Sequence, residues 1–122
     1  MFIIEYYVDE NGNNPVENFI KNIDNKKLQA KVFRAIHLLE EKGHLIDTLN
    51  SKYLSDDLFE LRIKQSTNLV RILYFFRYGK RIILTHGFIK KSQKTPKREL
   101  EIALKRMHRY IKREEIINGK IF

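Results

Sequence analysis

Leu58-Phe59-Glu60-Leu61-Arg62-Ile63-Lys64 alternates between apolar and charged residues. Successive side chains of a strand point to opposite faces. Phe59, Leu61 and Ile63 therefore share one side, and Glu60, Arg62 and Lys64 share the other. A strand of this kind belongs to an antiparallel sheet with one packed face and one face open to water or a ligand. The residues downstream repeat the pattern. Gln65-Ser66-Thr67-Asn68 is turn material, and Leu69 to Phe76 sets Val70, Ile72, Tyr74 and Phe76 against Arg71, Leu73 and Phe75. Tyr78-Gly79-Lys80 turns again before a third strand, Arg81 to Phe88. Residues 58–88 thus read as an antiparallel meander.

Upstream, Phe2 to Val8 is β-branched and aromatic and reads as a strand, followed by the turn Asp9-Glu10-Asn11-Gly12-Asn13-Asn14. Asn14 then caps a helix with Pro15 at its first position, and Val16, Phe19, Ile20 and Ile23 give it an apolar face. Asp24-Asn25 breaks the pattern and caps a second helix, where Leu28, Val32, Phe33, Ile36 and Leu39 follow the 3.6-residue period until Gly43 ends it. The two form a helical hairpin. Residues 44–57 read as a connection, with Tyr53 and Leu54 touching the core. From Pro96 the chain is helical, with Leu100, Ala103, Leu104, Met107, Tyr110 and Ile111 in one stripe and fraying expected after Glu115. The predicted fold class is α+β, in the order β-α-α-β-β-β-α. A small, mainly antiparallel sheet packs on an N-terminal helical hairpin, its other face is left open, and a C-terminal helix follows. The length predicts a single domain over residues 1–122.

Charge is unevenly placed. Residues 1–61 hold 7 Lys and Arg against 11 Asp and Glu, whereas residues 62–122 hold 17 against 4. The basic half predicts an anionic partner. No apolar run is long enough to span a membrane, no secretory leader is visible, and there are no cysteines, so a cytoplasmic location is expected. His37, His44, His86 and His108 are scattered, with no accompanying carboxylate cluster. No metal site and no cofactor are expected.

The basic groups converge at the end of the meander. Gly87-Phe88-Ile89-Lys90-Lys91-Ser92-Gln93-Lys94-Thr95-Pro96 crowds three lysines where a strand gives way to a helix. Neighbouring strands lie about 4.8 Å apart, so Arg62, Arg71 and a lysine of the third strand can meet one phosphate. Arg71 is the leading candidate, because its rigid guanidinium fork suits two phosphate oxygens. Its other reading is a structural ion pair with Glu60. Arg62 faces the same side, and Lys64 can track a nucleic-acid backbone. Lys90 and Lys91 point oppositely, so one of them faces the site; crowding by Arg62 and Arg71 would make that lysine a readier proton donor or acceptor. Glu60 is the carboxylate of this basic face. Its cationic surroundings favour an orienting role over that of a base. His86 shares strand parity with Ile82, Leu84 and Phe88, which reads as a core position, and is only a possible catalytic group. On the last helix Lys97, Arg98, Lys105, Arg106, Arg109, Lys112 and Arg113 form a basic face. That face suits contact with an RNA backbone or with an acidic protein segment, and the sequence does not separate the two.

Taken jointly, Leu58-Phe59-Glu60-Leu61-Arg62, Val70-Arg71-Ile72-Leu73-Tyr74, His86 through Pro96, and Ala103 with Tyr110 beyond it resemble the RelE/ParE superfamily. More closely they resemble its HigB branch, the phage-derived, Gp49-like toxins of type II toxin–antitoxin systems. The resemblance implies a RelE-like fold and a toxin that acts as a ribosome-dependent mRNA endonuclease (an mRNA interferase). Such a toxin arrests translation without a metal, by attack of a 2′-hydroxyl on the adjacent phosphate. It also implies a cognate helix-turn-helix antitoxin and operator DNA bound through the toxin–antitoxin complex. The implied catalytic set is Arg62, Arg71, Lys90, Lys91 and Glu60, with Lys64, Lys94, Lys97 and Arg98 binding RNA. A carboxylate at Glu60 departs from the family pattern, and Thr95-Pro96 stands where some members carry a tyrosine. The alternatives are a ParE-like gyrase poison, which shares the fold, and a basic nucleic-acid-binding module without catalysis.

Overall fold

A computed structural model of the protein describes residues 1–47, 49–90 and 94–119. The elements are β1 (Ile3–Tyr6), α1 (Pro15–Lys21), α2 (Lys26–Lys42), a 3-10 turn (Gly43–Leu45), β2 (Ser51–Ser55), β3 (Leu58–Gln65), β4 (Asn68–Arg77), β5 (Arg81–Lys90) and α3 (Lys97–Gly119). The helix starts follow from the predicted caps. The Asn14 side chain accepts from the Glu17 N–H and the Asn25 side chain from the Leu28 N–H, each at 3.1 Å. Each bond satisfies a donor that the first turn leaves without a partner. Gly43 ends α2 with φ +50°, and a Cβ there would lie 2.1 Å from the Phe2 ring.

Among the described residues the sheet has five strands in the order β1-β5-β4-β3-β2. β1 pairs parallel to β5, and the other pairs are antiparallel. On one face lies the helical hairpin, whose Val16, Ile20, Leu28, Val32 and Leu39 pack on Leu61, Ile63, Val70, Ile72 and Tyr74. On the other face α3 lays Ala103, Met107 and Tyr110 over Leu58, Leu73, Phe75 and Ile83. No helix among the described residues is long and apolar enough to cross a membrane.

Four expectations are corrected. Residues 51–55, read as part of a connection, are strand β2, paired with β3. Their sequence, Ser-Lys-Tyr-Leu-Ser, is too short to show an alternation of its own, so its neighbour decides its state. Tyr53 is largely exposed rather than in the core, while Leu54 does pack, against the cluster under α3. The second sheet face is not left open along its length, because α3 crosses and covers it at the far end from the turn at Ser66. Finally, α3 remains helical to Gly119, beyond the point where fraying was expected.

A fifth difference sets the site. Leu73 pairs with His86 but Tyr74 pairs with Leu84, which leaves Thr85 as an extra residue in β5. This β-bulge reverses which face each later residue takes. Ile82 and Leu84 face the hairpin, whereas Phe88 stands opposite Arg71 and Lys90 opposite Leu69, on the α3 side. Gly87 now meets the hairpin, and a Cβ there would come within 2.5 Å of Phe19. The Thr85 hydroxyl donates to Leu73 O at 2.9 Å, and Arg106 of α3 donates to Thr85 O at 2.9 Å. Both bonds hold the bulge, so Arg106 is turned inward and is not part of the exposed basic face.

Candidate active site

Where α3 no longer covers the sheet, β3, β4 and β5 bring Arg62, Arg71 and Lys90 to the same face. Arg62 pairs directly with Arg71 in the ladder, and Arg71 in turn with Phe88, two residues before Lys90. Like charges so placed repel unless a carboxylate lies among them. Glu60 supplies it. Its Oε1 lies 3.3 Å from Arg71 Nε, 3.6 Å from Arg62 Nε and 3.6 Å from Lys90 Nζ. Its Oε2 accepts from the Thr95 hydroxyl, just before α3. The expected ion pair between Arg71 and Glu60 and the expected convergence of three strands are therefore both present.

The cluster is dry on one side and open on the other. The Glu60 side chain is 1% exposed, Lys90 2%, Arg71 9% and Arg62 31%. Burial pushes the Arg71 guanidinium below its ordinary pKa, Glu60 opposes this, and Arg62 adds to it. Burial likewise pushes the Lys90 ammonium down, against the pull of Glu60 and with Arg71 and Arg62 reinforcing the fall. Three cations thus share one carboxylate at low dielectric, an arrangement that favours a further anion. Above them a cleft of about 420 Å³ is lined by Arg62, Arg71, Lys64, Leu69, Leu49 and Asn50.

Lys90, in the strand and buried, faces the cluster. Lys91 lies outside the described residues. Lys64 lines the cleft and is exposed, and Lys94, Lys97 and Arg98 are exposed around the start of α3. His86 is not in the hairpin core where parity put it. The bulge turns it toward α3, where Nε2 meets Glu99 at 2.8 Å and Arg106 donates to Nδ1 at 3.1 Å. Nδ1 is thus the acceptor and Nε2–H the donor. Burial lowers its pKa, and the Arg106 charge acts in the same direction. His86 is held as a neutral structural link. Thr95 is the site residue that sequence reasoning missed. Its only signal was its place before Pro96, and nothing in the pattern paired it with Glu60, 35 positions away. Among the described residues no group of three His, Asp or Glu could hold a metal ion.

Residues 18–108 match the family described as "Phage derived protein Gp49-like". The chain belongs to this family. Two curated relatives, both named "Probable endoribonuclease HigB1" and from two strains of Mycobacterium tuberculosis, are 42% identical over 91 residues, covering 72% of this chain and 70% of theirs. The matched region of the Gp49-like protein runs from α1 to the middle of α3. It contains Glu60, Arg62, Arg71, Lys90 and Thr95.

Proposed function

We propose that this Gp49-like protein is the toxin of a type II toxin–antitoxin pair and an endoribonuclease that cuts mRNA on the ribosome. The observation that carries the reading is the single Glu60 oxygen shared by Arg62, Arg71 and Lys90 beneath an open cleft. The relatives named as endoribonucleases support the class of reaction.

In this reading a 2′-hydroxyl of the message loses its proton to solvent water and attacks the adjacent phosphorus in line, so that the bond to the 5′-oxygen breaks and a 2′,3′-cyclic phosphate is left. Arg71 and Arg62 meet the phosphate oxygens as negative charge grows on them, in surroundings where such contacts are strong. Lys90, with its pKa pushed down, gives its proton to the departing 5′-oxygen more readily than an ordinary lysine. Glu60 holds the three cations at one point and does not itself touch the substrate. Lys64, Lys94, Lys97 and Arg98 hold the RNA backbone, and Lys91 is a further cation beside Lys90. The chemistry runs without a metal or cofactor. The protein acts as one domain, 1–122, in the cytoplasm. A cognate helix-turn-helix antitoxin neutralises it, and the pair binds its own operator DNA.

The test is to express the protein from a tight promoter and to map mRNA 5′ ends, with Arg71→Ala beside it. New ends within translated regions, lost in Arg71→Ala, are expected. Growth arrest with intact messages and accumulating DNA breaks would instead indicate a gyrase poison. Neither effect would leave a binding module without catalysis.

A further inference from the structure

The second half of α3 faces a cleft that the proposed RNA chemistry does not use. It measures about 410 Å³ and lies between α3 and the loop after β1. One wall carries Arg109, Lys112, Arg113 and Ile116; the other carries Tyr7, Asp9, Glu10 and Asn11. Its frame is built from specific contacts. Arg113 donates to Val8 O at 2.9 Å and sits over the Tyr7 ring at 5.8 Å. Asp9 accepts from the Asn11 and Asn13 N–H groups, each at 2.9 Å, which fixes the loop. Tyr7 is 1% exposed, yet its hydroxyl has no hydrogen-bond partner among the described residues. Native proteins seldom leave such a group unpaired. Ile116, on the other wall, is half exposed at 51%.

We propose that this cleft is a docking site for an acidic segment of a protein partner, one that sets carboxylates beside an apolar side chain. Arg109 and Lys112 are exposed and meet the carboxylates. Asp9 and Glu10 opposite them weaken the field that a polyphosphate chain would need, and they accept a basic or N–H group of a peptide. An exposed isoleucine beside the cations gives nothing to a phosphate backbone but covers an apolar side chain. The mixed lining therefore fits a peptide better than RNA. It also divides the work of α3: Lys97 and Arg98 beside the cluster serve RNA, and Arg109 and Lys112 serve the partner. This rests on the toxin reading only for the partner's identity, which would be the antitoxin.

The test measures binding of the full-length chain to the antitoxin encoded beside it, by titration calorimetry, alongside mRNA cleavage. Arg109→Glu with Lys112→Glu should weaken the complex on the order of 30-fold while cleavage by the same variant stays at the wild-type level. Lys97→Glu with Arg98→Glu should do the reverse, sparing the complex and reducing cleavage. An unchanged antitoxin affinity in the first variant overturns the proposal, and so does the absence of any complex with the wild type. Loss of cleavage with affinity intact assigns the cleft to RNA and overturns it as well. Failure of the toxin reading is seen separately, as wild-type protein that cuts no message.

Discussion

Glu60→Gln keeps the shape of the side chain and its acceptor toward Thr95 but removes the charge that Arg62, Arg71 and Lys90 share. Arg71 and Lys90 are nearly inaccessible to water, so neither can leave the cluster without dragging its strand. Breaking a buried charge pair by removing one partner costs about 3–5 kcal/mol, and here three cations lose the same partner. With a urea dependence of about 1.5–2 kcal/mol per molar, the unfolding midpoint should fall by roughly 2 M. A second readout isolates the electrostatic cause. An anion that binds only the folded protein stabilises it by mass action. Phosphate compared with chloride at equal ionic strength should therefore raise the midpoint of Glu60→Gln more than that of the wild type. The variant should also cut RNA poorly, because its cations spread apart. A variant within about 0.5 kcal/mol of wild type, the scatter of surface substitutions, would refute the reasoning. So would an equal response of the two proteins to phosphate.

Three further outcomes follow. His86 has a folded pKa below its ordinary 6.5, so the unfolded chain takes up the proton first; stability should fall as pH drops below 6.5, and urea titrations of His86→Gln should lack that slope. Arg106→Leu leaves the Thr85 carbonyl of the bulge without its donor, which should cost about 1–3 kcal/mol by denaturation and lower cleavage more than substrate binding, because Lys90 depends on the bulge. Binding to RNA or ribosomes should weaken steeply with salt; on single-stranded RNA the log–log slope should become shallower by about 0.7 for each phosphate the protein ceases to neutralise, as in Lys64→Ala.

The local devices were legible because they are written in short windows. Asn14-Pro15, Asn25 and Gly43 each act through their own backbone or that of the next turn. The alternation in β3 and the early part of β4 fixes Arg62 and Arg71 on one face, since side-chain direction in a regular strand depends only on parity. Strand β2 was not legible, because it owes its conformation to β3. The burial of the second sheet face was not legible either, because no pattern in α3 says which surface its stripe will meet.

The contrast is sharpest at Lys90. By parity alone it shares the face of Ile82 and Leu84 and would point into the hairpin core. The extra residue at Thr85 changes that, and a bulge of one residue leaves no mark in an alternation that stays apolar on both sides of it. It exists because Leu73, Thr85 and Arg106 satisfy it from three different elements. The sequence by itself determined the elements other than β2, the basic half of the chain and two of the three cations. The tertiary structure decided that Lys90 joins them as a third cation, that Glu60 and Thr95 hold the group together, and that His86 of β5 packs against α3. Those choices rest on hydrogen bonds and charge pairs between residues far apart in the chain, which no local window contains.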